Sequence, residues 1–96
     1  MTSKEMRLER KNNLSWRIAQ EVRSCELNGT NCFLLRDGVV CRLSSMGEPY
    51  NALVLEYADN MELAQKGIFG EDGDLFYMDE MTEDEMFEAM LKEINE

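Results

Sequence analysis

Apolar residues at Leu14, Ile18, Val22 and Cys25 recur at intervals of four, four and three, which stacks them on one side of a helix predicted over about Ser3 to Leu27. Trp16 and Ala19 widen that stripe, and Asn28-Gly29 supplies the left-handed residues that commonly close a helix. The polar pair Asn12-Asn13 is a weak point, where the segment can break and leave residues 1–10 as a frayed basic arm.

The period then changes. Asp37-Gly38 stands between two apolar, β-prone runs from Cys32 to Leu43, the mark of a two-residue hairpin turn, because both central positions need positive φ. That register sets Leu34 opposite Cys41 and Cys32 opposite Leu43, with Phe33, Leu35 and Val40 on the other face, so both faces of the hairpin need cover. After a turn over Ser44 to Pro49, residues 51–57 are predicted as a third strand with Leu53, Leu55 and Tyr57 on one face. The rival is one long helix from Pro49 to Lys66, since Leu53, Tyr57, Met61 and Ala64 also have helical spacing. The capping-box pattern Asp59-Asn60-Met61-Glu62 favours the strand followed by a short helix at about 60–66, ended by Gly67.

Gly70 to Asp74 is predicted as a turn leading through Leu75, Phe76, Tyr77 and Met78 into the last element. There Thr82-Glu83-Asp84-Glu85 forms a second capping box, and Met81 and Met86 take the two positions of a hydrophobic staple. Met86, Phe87, Met90, Leu91 and Ile94 share a side, which predicts a helix over 83–95. The expected fold class is α+β: an N-terminal helix, an antiparallel three-stranded sheet (hairpin 32–43 plus strand 51–57), a short helix and a C-terminal helix. A chain of 96 residues suits one domain, since it buries roughly two thirds of its unfolded surface.

Composition adds exclusions. With 44% hydrophobic and 31% charged residues the chain has enough apolar material to fold. No apolar run approaches the roughly 20 residues that cross a bilayer, and Met1 to Arg10 alternates charge where a leader would be apolar, so the expected location is cytoplasmic, with no membrane partner. Three cysteines, Cys25, Cys32 and Cys41, leave one thiol over under any pairing, which argues against a secreted disulfide framework.

The absence of histidine removes the commonest general base and every triad built on it. The cysteines are too widely spaced for a zinc site. Asp72, Asp74, Glu80 and Glu83 fall at positions 1, 3, 9 and 12 of a calcium-type loop, but Phe76 and Tyr77 stand where it needs an oxygen ligand and a glycine. Gly67, Gly70 and Gly73 lie among carboxylates that would repel a phosphate. No cofactor, metal or catalytic residue is therefore expected, and the protein is not read as an enzyme.

Charge supplies the main functional clue. Residues 1–47 carry eight basic and five acidic side chains, whereas residues 48–96 set Lys66 and Lys92 against fifteen carboxylates. A formal net charge of −10 repels nucleic acid and anionic lipid, so the partner sought is a basic protein, such as a nucleic-acid-binding enzyme, and not nucleic acid itself. The helix dipole accounts for Glu83, Asp84 and Glu85 in a first turn, but not for the acidic residues before it.

The expected function is inhibition by competition for a basic, nucleic-acid-binding surface. Asp72, Asp74, Asp79, Glu80, Asp84 and Glu88 are the candidate contact charges, with Phe76 and Tyr77, beside Met78, as desolvated anchors. In size, acidity and mixed helix-and-sheet pattern the chain is similar to small acidic inhibitors from phages and mobile elements, including some anti-CRISPR proteins. The plain alternative is a solvated acidic face on a protein with another job. A further alternative is a non-catalytic oligomerising or adaptor module, monomer or homodimer, that uses the Met- and Phe-rich C-terminal helix. The basic N-terminal segment can also dock on the acidic one, within a chain or between chains.

Overall fold

Thr2 opens the first helix by accepting a hydrogen bond from the Glu5 amide, 3.1 Å away, in the computed structural model of the chain. The structure describes residues 2–22, 25–26, 32–34, 36–70 and 73–95. Helix α1 (Ser3–Glu21) runs unbroken through Asn12-Asn13, so residues 3–10 belong to the helix. It stops at Val22, whose backbone is extended, and Cys25 joins a strand instead of the helical stripe. The proposed Asn28-Gly29 stop lies outside the described residues.

Leu14 and Ile18 are fully buried, as the stripe predicts, but Trp16 is 64% exposed. Two positions on from Leu14, Trp16 lies about 200° around the helix and looks away from the core.

Strands β1 (Cys25–Glu26), β2 (Cys32–Leu34), β3 (Val40–Met46), β4 (Ala52–Ala58) and β5 (Asp74–Tyr77) pair in sequence order, each antiparallel to the next. Four of them have three residues or more, against the three strands expected. The added one, β5, comes from the stretch read as a lead-in to the last helix; pairing with β4 turns it into a sheet edge.

The β2–β3 hairpin corrects the predicted register. Leu34 faces Val40, Phe33 faces Cys41 and Cys32 faces Arg42, one residue out from the predicted pairs. Asp37 (φ 61°) and Gly38 (φ 83°) do take left-handed conformations, but within a five-residue connection between Leu34 and Val40. A slip of one residue moves every side chain to the other face. Here it buries Phe33 completely under the helices, where the predicted register would have put the smaller Cys32.

The strand reading holds for residues 52–58, and the long-helix alternative does not. Helix α2 (Met61–Gln65) is capped by Asn60, one residue later than the Asp59 box predicts, through Asn60 Oδ1 and the Leu63 amide. Gly67, at φ 76°, closes it: its amide reaches Ala64 and that of Ile68 reaches Leu63, the two bonds of a Schellman end. Helix α3 (Glu83–Asn95) opens on the predicted box, with Thr82 Oγ1 accepting from the Glu85 amide and Glu85 Oε1 accepting from that of Thr82, at 3.2 and 3.0 Å.

The sheet has two unlike faces. On the inner face α1 packs across β3 and β4, and α3 packs against α1. Phe33, Leu43, Leu53 and Leu55 meet Leu14, Ile18, Met86 and Met90 there in one buried core. On the outer face α2 covers only the end near Val40 and Ala58, helped by Phe69. No helix among the described residues is long and apolar enough to cross a membrane.

Candidate functional site

The acidic region is built on β5, the turn at residues 78–80 and the first turns of α3. Register and hydrogen bonding divide its side chains between the two faces. Phe76 lies opposite Leu53 and Asp74 opposite Leu55, so both belong to the inner face, while Leu75 and Tyr77 belong to the outer. Phe76 is 7% exposed and packs in the core, which makes it a support for the strand and not a contact surface. Tyr77 is half-buried.

Asp74 accepts a 2.7 Å hydrogen bond from the Tyr57 hydroxyl. Burial, and then this bond to a carboxylate, push the Tyr57 hydroxyl pKa well above its ordinary value. Asp74 is thus committed within the chain. Asp72 lies outside the described residues.

Asp79 and Glu80 are exposed on the turn after β5. Asp79 receives long hydrogen bonds from Asn51 Nδ2, at 3.4 and 3.5 Å, while Asn51 Oδ1 accepts from Arg7 at 2.6 Å. Asn51 has φ 47°, a conformation its side chain tolerates, and its carbonyl also accepts from the Met78 amide. One asparagine therefore ties α1, β4 and the acidic turn together.

Arg17 on α1 reaches Asp84 at 2.9 Å and Glu83 at 3.2 Å, and stacks over the Phe87 ring. The hydrogen bond it donates to Asp84, the larger influence, and the one it donates to Glu83 raise the pKa of its guanidinium. Asp84 nonetheless keeps 85% of its side chain exposed. Glu88, one helical turn on, is exposed and has no ion pair among the described residues. Arg7 and Arg10 make no ion pair with this surface among the described residues: Arg10 donates to the Met81 carbonyl, and Arg7 is buried against Asn51. Arg23 lies outside the described residues.

Sequence reasoning missed a second cluster, on the outer face. Arg42 pairs with Glu56 at 2.9 Å and lies over the Phe69 ring, and Ser44 donates to the same carboxylate. Arg42 and Glu56 stand directly opposite across β3 and β4. The correct register was the signal that would have found them.

A cleft of about 220 Å³ opens between α1 and the acidic turn, lined by Met6, Glu9, Arg10, Asn13, Met78 and Glu83. It is smaller than the roughly 300–1,000 Å³ usual for small-molecule sites. Among the described residues no three carboxylates or cysteines converge closely enough to hold a metal ion. No protein-family model, no curated protein and no solved structure matches this chain.

Proposed function

We propose that this protein is a non-catalytic acidic binding module that inhibits a partner by occupying a basic surface of the kind that otherwise holds nucleic acid. One observation carries the reading. Asp79, Glu80, Asp84 and Glu88 are exposed along one turn and the adjoining helix, and Arg17 is the only cation paired with that stretch among the described residues. Exposed carboxylates so placed can enter a groove lined by Lys and Arg and compete there with phosphates. Arg17 draws in Glu83 and shares Asp84, so Asp79, Glu80 and Glu88 are the main contact charges. The support for these charges is internal, from Phe76 in the core and from Asn51 behind the turn.

The oligomerising alternative gains nothing from the helix on which it relied. Met86, Met90 and Ile94 are buried in the chain's own core, and Phe87 lies under Arg17.

The test is affinity capture from lysate of the source organism at low and high salt, with a variant carrying Asp79→Asn, Glu80→Gln, Asp84→Asn and Glu88→Gln alongside. A basic protein retained at low salt, released at high salt, displaced by nucleic acid and bound about tenfold or more weakly by the variant is the expected result. Equal capture by the variant, at either salt, would sink the reading.

A further inference from the structure

The acidic turn adjoins a sheet edge that carries no further strand among the described residues. Strand β5 is the last strand of the sheet, paired on one side with β4. The Met78 amide donates to the carbonyl of Asn51, its direct partner in the register, which fixes the alternation of the ladder: Phe76 and Asp74 exchange bonds with β4, while Leu75 and Tyr77 turn their backbone groups outward. The outward Tyr77 carbonyl accepts from the Glu80 amide at 3.1 Å. The Leu75 amide and carbonyl and the Tyr77 amide have no hydrogen-bond partner among the described residues. Leu75 and Met46 are each about two fifths exposed on the outer face, which α2 leaves uncovered at this end.

We propose that β5 accepts an extended basic peptide segment of the partner as a further antiparallel strand, an inference that rests on the acidic-surface reading above and names how the partner is held. Three outward backbone groups would receive it. Successive residues of an added strand alternate faces. Those beside Leu75 and Tyr77 would rest on the outer face by the half-exposed Leu75, and those on the other side would meet Asp74 at one end of the strand and approach Asp79 and Glu80 at the other. The segment that fits alternates apolar residues with Lys or Arg. A second copy of this chain offers no cation here: antiparallel pairing of two β5 strands about Phe76 sets Asp74 of one copy opposite Met78 of the other and Asp79 opposite Gly73, so neither carboxylate gains a positive partner.

The probe is a capped synthetic peptide alternating valine and lysine, titrated into the full chain at low salt and followed by amide hydrogen exchange, with an alternately N-methylated version as control. Leu75→Pro removes only an outward donor, so the bonds to β4 survive, as in edge strands that carry proline. The expected result is exchange at Leu75 and Tyr77 slowed about tenfold or more by the peptide, with weak binding by the N-methylated control and by Leu75→Pro. Circular dichroism checks that the proline variant folds, and the exchange measurement on the unaltered protein stands without it. Peptide binding that leaves both amides unprotected and is equal for Leu75→Pro overturns strand addition while leaving the acidic-surface reading intact. Absence of salt-sensitive binding of this peptide and of polylysine overturns both. A dimer abolished by Leu75→Pro overturns the basic occupant in favour of a second copy.

Discussion

The two faces of the sheet solve different problems with the same strands. The inner face, under α1 and α3, is closed and almost wholly apolar, with Leu53, Leu55, Phe33 and Leu43 all at or below 1% exposure. The outer face changes character along its length: an apolar corner under α2, then the Arg42–Glu56 pair beneath Phe69, then the half-exposed Met46 and Leu75 flanking the buried Ala52 and Val54. The buried apolar core is therefore concentrated on the inner face, and the ion pair and the half-exposed apolar side chains of the sheet on the outer. Substitutions matched across the sheet test that division.

The largest effect belongs to the inner face. Leu53→Ala leaves a cavity between Phe76 and the helices and is expected to destabilise the fold by about 2–5 kcal/mol in urea or heat denaturation. A loss below about 1 kcal/mol would mean that the inner core is loosely packed and the contrast false.

Gly73 joins the outer face to β5 and should come next. A Cβ built there would lie 2.9 Å from Val54 Cγ1 and 3.2 Å from the Leu55 carbonyl oxygen. The glycine is required by close approach to β4, so Gly73→Ala is expected to cost about 1–3 kcal/mol. Faster amide exchange than in the parent at Phe76, whose amide bonds to β4, would localise the damage to the β5 edge.

A smaller effect, about 1 kcal/mol, is expected of Arg42→Ala, which removes a partly buried ion pair and the stacking on Phe69 together. Added salt should shrink the difference between this variant and the parent. An effect as large as that of Leu53→Ala would show the outer face to be part of the core.

At the rim of the inner face, Tyr57 links stability to alkaline pH. Its hydroxyl pKa is raised by burial and by Asp74, so the folded chain keeps a proton that the unfolded chain releases near pH 10. The associated stability is present below that pH and falls as the pH rises above it. Tyr57→Phe should flatten this alkaline decline, and thermal melts above neutral pH would show it.

How far these differences could be read from the chain depends on how local their causes are. The start of α3 was legible because the Thr82–Glu85 box and the Met86, Met90, Ile94 spacing lie within one segment. Turn chemistry identified Asp37 and Gly38 as left-handed, but residue types at a turn do not state how many residues flank them, and the register went astray by one. The strand β5 was hidden because four mixed residues, Asp74 to Tyr77, show no periodicity of their own; their partner β4 lies about twenty positions earlier. The acidic contacts were legible as a composition. Their partition was not, because Arg17 reaches Glu83 and Asp84 from 66 and 67 positions away.

The smallest expected effect is the most discriminating. Leu75 is an apolar residue in a strand, and on the inner face its replacement by serine would be costly. Here its side chain is 39% exposed and points to the uncovered end of the outer face, so Leu75→Ser should change stability by no more than about 0.5 kcal/mol. Its backbone amide and carbonyl remain, so a strand added at β5 would lose apolar contact but keep its hydrogen bonds. Binding of the valine–lysine peptide should therefore weaken modestly for Leu75→Ser and severely for Leu75→Pro, at equal fold stability of the serine variant and the parent. If serine destabilises the protein like an inner-face substitution, then the outer face is closed at this end as well, and the two faces differ in degree only.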